Sequence, residues 1–300
     1  MTHPPPGREL PAPTGETQLL AWLLEVLHPM NRTRVKQVLR SGQVIVNGQP
    51  ATRHDHPLTP GDRIHLTREP RTGKVPDELG GIRIIHHDEA ILVIDKPSGL
   101  LTVATESEKL DTAFVRLKLY LARTRGGHPF VVHRLDRDTS GLLLFARSVK
   151  ARDALQAGWD QVVKKYLAVT EGVPGSSEGV IESYLLEGRD LKVRSYEHPR
   201  PEAKRAVSRY RVLQSRGRYA LVEVTLETGR KHQIRVHMSE LGCPVAGDAV
   251  YGAASNPAGR LGLHAWRLAF DHPRTGQRIE LESLLPEKIR GVIGVSPADE

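Results

Sequence analysis

The densest run of reactive side chains is VVHRLDRDTSGLLLFARS, residues 131 to 148, where His133, Arg134, Asp136, Arg137, Asp138, Thr139 and Ser140 stand between two apolar stretches. Val131 and Val132 lead in, Leu142 to Phe145 lead out, and both flanks predict short buried strands. A polar loop held between core strands is a rigid mount for a reactive group. Asp136 and Asp138 share a face if the loop is extended, a pairing that glycoside hydrolysis would use. The surrounding arginines suit nucleic acid better than a neutral sugar. His54-Asp55-His56 and His86-His87 with Asp88 could be read as metal ligands, but their spacing is loose, and fourteen histidines in 300 residues often produce such neighbours.

The elements that must position this loop are visible on both sides of it. Upstream, IRII and AILVI predict two strands joined at HHDE, the second running into the turn Lys96-Pro97-Ser98-Gly99-Leu100. A helix is expected over 110 to 123, another near 149 to 159, and a strand over 164 to 170 in which Tyr166 faces away from Leu167. RAVSRYRVLQ and RYALVEVTLE, within 205 to 227, add two strands. Thr228 and Gly229 can start a helix carrying Ile234, Met238 and Leu241 as its apolar stripe, with Arg235 beside the stripe and Gly242 closing it.

A different pattern precedes residue 80. Residues 1 to 15, rich in proline, predict a disordered leader. From Thr17, TQLLAWLLEVL places Leu19, Leu20, Leu23, Leu24 and Leu27 on one helical face, and Pro29 helps to end it. Asn31 can cap a second helix that stops at Gly42, with Val35, Val38 and Leu39 on one face and Arg32, Lys36 and Arg40 lining its edge. A strand over 43 to 46, the hairpin dipeptide Asn47-Gly48 and a strand over 61 to 66 follow. Residues 69 to 80 mix charge with Pro and Gly and read as a linker.

Composition narrows the partner. With 39% hydrophobic residues, 300 residues can fill a large domain and a small one, and a net charge of +8 with a pI near 9.7 suits a polyanion. The single cysteine, Cys243, excludes an intrachain disulfide and a multi-thiolate zinc site. MTHPPPGRELPAPTGE has no apolar signal region, and no stretch is long enough to span a bilayer, so the expectation is a cytoplasmic protein without membrane contact. Neither a Walker loop nor a dinucleotide fingerprint is present.

HRLDRDTSG resembles, without mismatch at its fixed positions, the motif H-R-L-D-x-x-T-S-G of the RluA family of pseudouridine synthases, which isomerise uridine in RNA. The related RsuA branch carries glycine where this chain has His133. Three further stretches resemble family elements in order: Lys96 to Leu100 (K-P-x-G-L), Lys164 to Ala168 (K-x-Y-x-A) and Thr228 to His237 (T-G-R-x-H-Q-I-R-V-H). GDAVYG at 247 to 252 and LHAWRLAFDHP at 263 to 273 resemble its closing elements, and the matches span about 81 to 286. The resemblance implies Asp136 as the catalytic aspartate, Tyr166 as the active-site tyrosine, Arg235 as partner of Asp136, Ile234 as apolar lining, and Arg134 as the residue filling the space a flipped base vacates. His86-His87-Asp88 and Leu101 to Lys109 depart from the family, so their roles stay open.

The two N-terminal helices followed by G-x-V-x-V-N-G and G-D-x-I resemble the alpha-L RNA-binding motif, which implies Arg32, Arg34, Lys36 and Arg40 as phosphate contacts. The expected fold is α+β: a leader (1 to 15), an alpha-L domain (16 to 68), a linker (69 to 80), a catalytic domain with a long mixed, mainly antiparallel sheet (81 to 290) and a tail (291 to 300). The expected activity needs no cofactor and no metal, acts on large-subunit ribosomal RNA or tRNA, and is carried by a monomer. Asp136 could attack the nucleoside or remove a sugar proton, and the sequence does not choose. The alternative is a ribosome-assembly factor that binds RNA without catalysis.

Overall fold

Leucines at helical spacing give the first helices an apolar face, and a small sheet covers it. The computed structural model describes residues 8–40, 43–51, 53–67, 79–105, 108, 110–124 and 126–294, apart from the side chains of Thr33, Arg34, Gln37, Arg40 and Pro50. The chain divides into two compact units between Glu78 and Leu79. The first holds β1 (Arg8–Glu9), β2 (Thr17–Gln18), α1 (Leu19–Val26), α2 (Arg32–Arg40), β3 (Val44–Val46), β4 (Gln49–Pro50), β5 (Pro57–Leu58) and β6 (Ile64–Leu66). Four strands order as β1-β6-β3-β4, and β2 pairs with β5. Asn47 and Gly48 both take positive φ, 50° and 83°, as a two-residue hairpin turn requires. Leu19, Leu23, Val35, Leu39, Val44 and Ile64 form its core.

Two expectations change here. The leader is not disordered throughout: Arg8 and Glu9 pair with Leu66 and His65 of β6, and Leu10 is buried. Thr17 and Gln18 are paired with β5, so α1 begins at Leu19. The expected stop of α2 at Gly42, and the linker up to Glu78, lie outside the described residues. Leu79 already packs in the second unit's core.

The second unit contains β7 (Arg83–His87), β8 (Ile91–Lys96), α3 (Ala113–Arg123), β9 (Phe130–Val131), β10 (Ser140–Ala146), α4 (Val149–Ala157), β11 (Val163–Glu171), β12 (Glu178–Glu187), β13 (Val193–Tyr196), β14 (Lys204–Arg216), β15 (Tyr219–Leu226), α5 (Gln233–Glu240), β16 (Leu263–Asp271), β17 (Arg278–Glu282) and α6 (Glu287–Ile293). One mixed sheet runs β13-β12-β14-β15-β11-β16-β10-β8-β7, with β17 on β16 and β9 on β10. Every pairing is antiparallel except β10 with β16, where Ser140 lies opposite His264 and Gly141 opposite Ala265. β10 is buried along its whole length, which is why it reads as an unbroken apolar run.

Gly141 shows how closely β10 approaches β16. Its φ is 110°, and a Cβ there would lie 2.2 Å from the Ala265 carbonyl oxygen, so only glycine fits. The structure also departs from the expected elements. His86 and His87 belong to β7 rather than to the turn after it. The expected helix at 228 starts only at Gln233, because Thr228 Oγ1 accepts the Val207 N–H and donates to Gln233 Oε1. The expected tail at 291 is still α6, whose Ile293 is fully buried.

Candidate functional site

Residues 132 to 139 connect β9 to β10, and nearly every turn of this loop is pinned from outside. Thr102 Oγ1 donates to the Leu135 carbonyl at 2.8 Å and accepts the Leu135 N–H at 3.1 Å. Lys96 Nζ, wholly buried, donates to the carbonyls of Pro97, Leu100 and Arg137 at 2.7 to 3.0 Å. Ser98 Oγ donates to the Asp138 carbonyl at 2.7 Å. His133 accepts the Leu144 N–H on Nε2 at 3.0 Å and packs 4.7 Å from the Trp159 ring. Burial, with Lys164 nearby, pulls His133 down to about 3, so it is a neutral acceptor. Burial also pulls Lys96 down to about 7, against the raising influence of Asp136 and Asp138.

The cleft that this loop borders is open to solvent and holds a cavity of about 80 Å³. Arg134, Asp136 and Thr139 line one side; Tyr166 comes from β11, Leu226 from β15, Leu263 from β16, and Arg230, His232, Ile234 and Arg235 from the start of α5 and the segment before it. Asp138, the other half of the possible carboxylate pair, is exposed and absent from this lining. His86 Nε2 hydrogen-bonds Asp88 at 2.8 Å, and no group of three metal-ligating side chains forms among the described residues.

Asp136 faces two cationic or donating groups, one from α5 and one from the residue that caps its start. Arg235 Nη1 and His232 Nε2 each lie 3.9 Å from Asp136 Oδ2. The expected Arg235–Asp136 partnership is therefore a facing charge rather than a hydrogen-bonded pair. Arg235 spends its fork on Asp248, with Nε to Oδ2 at 2.6 Å and Nη2 to Oδ1 at 2.8 Å. Burial alone would lower Arg235, but the hydrogen bonds and charge of Asp248, aided by Asp136, hold it above its ordinary value. The Tyr251 ring lies under the guanidinium at 4.9 Å. Tyr251 Oη accepts the Val193 N–H at 3.0 Å and hydrogen-bonds His232 Nδ1 at 2.8 Å, which turns Nε2 of the ring toward Asp136. Burial keeps His232 below its ordinary value despite Asp136.

Tyr166 supplies an aromatic wall. Burial first, and then the nearby Asp136, raise its phenol, so the hydroxyl is protonated and can donate at neutral pH. The base of α5 is tied to β12 and β14 through His237, which bridges Ser208 and Ser183 at 2.9 and 3.0 Å and is held near 4 by burial. One cleft thus gathers Arg134, Asp136, Tyr166, Ile234 and Arg235. Arg32, Arg34, Lys36 and Arg40 all lie on α2 of the N-terminal unit; Arg32 is exposed, Lys36 half-buried, and the side chains of Arg34 and Arg40 are outside the described residues.

Asp248, His232, Tyr251 and Lys96 were not singled out by sequence reasoning as site residues. Asp248 and Tyr251 stand in GDAVYG, a family-like stretch that by itself gives neither residue a role, since their partners are 13 and 19 residues away. His232 was visible, but its left-handed φ of 54° was not.

A single carboxylate in the lining, a protonated phenol, an apolar wall and a facing guanidinium suit chemistry at a planar base attached to a sugar. Residues 90 to 240 match the family described as RNA pseudouridylate synthase. The chain is 37% identical over 271 residues to the RNA pseudouridine synthase YlyB of Bacillus subtilis, covering 88% of each chain. It is 32% identical over 316 residues to a ribosomal large subunit pseudouridine synthase D of Neisseria meningitidis, covering 96% of this chain and 81% of that one. The solved human RNA pseudouridylate synthase domain containing 4 superposes with a TM-score of 0.58 at 29% identity, over 69% of this chain and 89% of that one. The chain belongs to the RluA-type RNA pseudouridine synthases, isomerases that act on RNA.

Proposed function

We propose that this enzyme converts uridines of large-subunit ribosomal RNA to pseudouridine, with Asp136 as the catalytic carboxylate. The observation that carries the reading is the position of Asp136, at the cleft wall and 3.9 Å from a guanidinium whose other edge is locked by Asp248. A charge so placed faces the carboxylate without occupying its oxygens. The relatives named for the large ribosomal subunit support that RNA over tRNA.

The reaction breaks the N1–C1′ glycosidic bond, turns the base and forms C5–C1′; the proton on C5 leaves and N1 takes one up, so that product and substrate are isomers. No electrons are gained or lost. Asp136 serves as nucleophile toward the nucleoside or as base toward a sugar proton, and both routes need it ionised. Tyr166 stacks on the uracil and offers its protonated hydroxyl. Ile234 packs on the base, and Arg134, exposed at the cleft edge, fills the space left in the stack. The N-terminal unit acts as an alpha-L RNA-binding domain, in which Arg32, Arg34, Lys36 and Arg40 hold phosphates.

Mapping of pseudouridines across total RNA, with and without the protein, tests this. Sites lost from large-subunit ribosomal RNA should return with wild type and stay absent with Asp136→Ala, which still binds RNA. Sites lost from tRNA instead would move the substrate. No lost site in any RNA, from a folded protein, would favour the non-catalytic assembly factor.

A further inference from the structure

β12 turns into β13 through Gly188, Arg189, Asp190, Leu191 and Lys192, a tight turn closed by Gly188 N–H to Lys192 O at 2.8 Å and Leu191 N–H to Gly188 O at 2.9 Å. Leu191 takes left-handed backbone, φ 62°, where glycine or asparagine is usual and a branched side chain is disfavoured. Burial does not compensate. At 67% exposed, Leu191 is the most exposed large apolar side chain among the described residues. Strain retained at a side chain left mostly in solvent points to a role outside folding.

The turn is fastened to the wall of the catalytic cleft. Val193 N–H donates to Tyr251 Oη, Lys192 Nζ lies 5.6 Å over the Tyr251 ring, and Lys231 pairs with Glu187 at the end of β12. Tyr251 in turn holds His232 beside Asp136. Val250, 50% exposed, adds a second apolar side chain next to Tyr251. The surroundings are basic: residues 188 to 205 carry six Arg or Lys against three Asp or Glu. Asp190 is taken up by Arg194 at 2.6 Å, which leaves the exposed Arg189 without an ion pair among the described residues.

We propose that Leu191 is a wedge for substrate RNA. When the target uridine is turned into the cleft, the Leu191 side chain packs on the exposed face of a neighbouring nucleotide, and Arg189 and Lys192 meet the flanking phosphates. An apolar side chain against an unstacked base lowers the cost of keeping the strand open, and the cations set its register. The basic surround selects a polyanion over an apolar protein surface. The inference rests on the assignment of this cleft, with Asp136, as the catalytic site.

Leu191→Gly separates function from folding, because glycine relaxes the backbone while removing the wedge. On RNA from cells lacking the protein, with release of tritium from C5-labelled uridine as the readout, kcat/KM should fall about tenfold, mainly through KM. The melting temperature should stay the same or rise, and Leu191→Met should restore activity. An unchanged KM in Leu191→Gly, a clearly lowered melting temperature, or failure of Met to restore activity would overturn the wedge. Asp136→Ala is run alongside; an active Asp136→Ala enzyme would sink the cleft assignment itself, a different failure from that of Leu191.

Discussion

Arg235 can face Asp136 without closing onto it because Asp248 holds the other two nitrogens of its fork. Both members of the Arg235–Asp248 pair are buried, so deleting one strands a charge. Asp248→Ala should cost about 3 to 5 kcal/mol in stability. In Asp248→Asn, which keeps the shape, kcat should fall more than KM rises, because the guanidinium is freed to pair with Asp136. Thermal unfolding and steady-state kinetics on the two variants would check this; an Asp248→Asn enzyme with wild-type kcat would refute the locking role. Buried histidines set a second residue-scale behaviour. Burial holds His237 and His264 near 4, below an ordinary value of about 6.5. The unfolded chain therefore binds more protons than the folded one below about pH 6.5, and stability is lost as pH falls toward about 4. Each histidine removes up to about 3 kcal/mol over that interval. Denaturant midpoints measured from pH 7.5 to 4.5 should fall, and a flat profile would contradict it.

At the scale of elements, the site depends on the one parallel pairing in the sheet. β10 leaves the Asp136 loop and at once meets β16, so that Ser140 Oγ hydrogen-bonds His264 Nδ1 at 2.8 Å and also accepts from Arg260 Nη2 at 2.7 Å. Gly141→Ala puts a methyl into the Ala265 backbone at a positive φ, which should destabilise by about 3 kcal/mol or more and move the loop. Soluble yield, melting temperature and turnover should all fall together. Thr102→Val is the milder element-scale test: it leaves the Leu135 amide and carbonyl without their partner at a cost of about 1 to 3 kcal/mol, and should lower kcat while the fold persists. The strands around the loop were legible from sequence because buried strands leave unbroken apolar runs. β12 and β13 were not, since β12 alternates weakly and keeps most of its side chains partly exposed.

Across the whole molecule, the two units have separate cores, one drawn from Leu10 to Ile64 and the others from Leu79 onward. A core that closes within its own unit lets that unit fold alone. Removing residues 1 to 78 should leave a cooperative melting transition while RNA affinity drops about tenfold, with a shallower dependence on salt as phosphate contacts are lost. Filter binding at several salt concentrations reads both; an unchanged slope would remove the N-terminal unit from the RNA interface. No helix among the described residues is long and apolar enough to cross a membrane.

The sequence by itself determined the reactive loop and its order of motifs. Asp136, Thr139, Ser140 and Gly141 are neighbours in the chain, and local turn chemistry between apolar runs is written in consecutive residues. It also determined where both N-terminal helices start to within two residues, because their apolar faces repeat at helical spacing. Only the tertiary structure decided how the carboxylate is served. Asp248 claims Arg235, Tyr251 orients His232, and β16 meets β10 across 124 residues of chain. Such contacts form between side chains that no periodicity links, and their selection depends on packing and on the need to pair every buried charge. The helix expected at Thr228 failed for the same reason: a hydroxyl that could cap a helix is bonded instead to a strand 21 residues away.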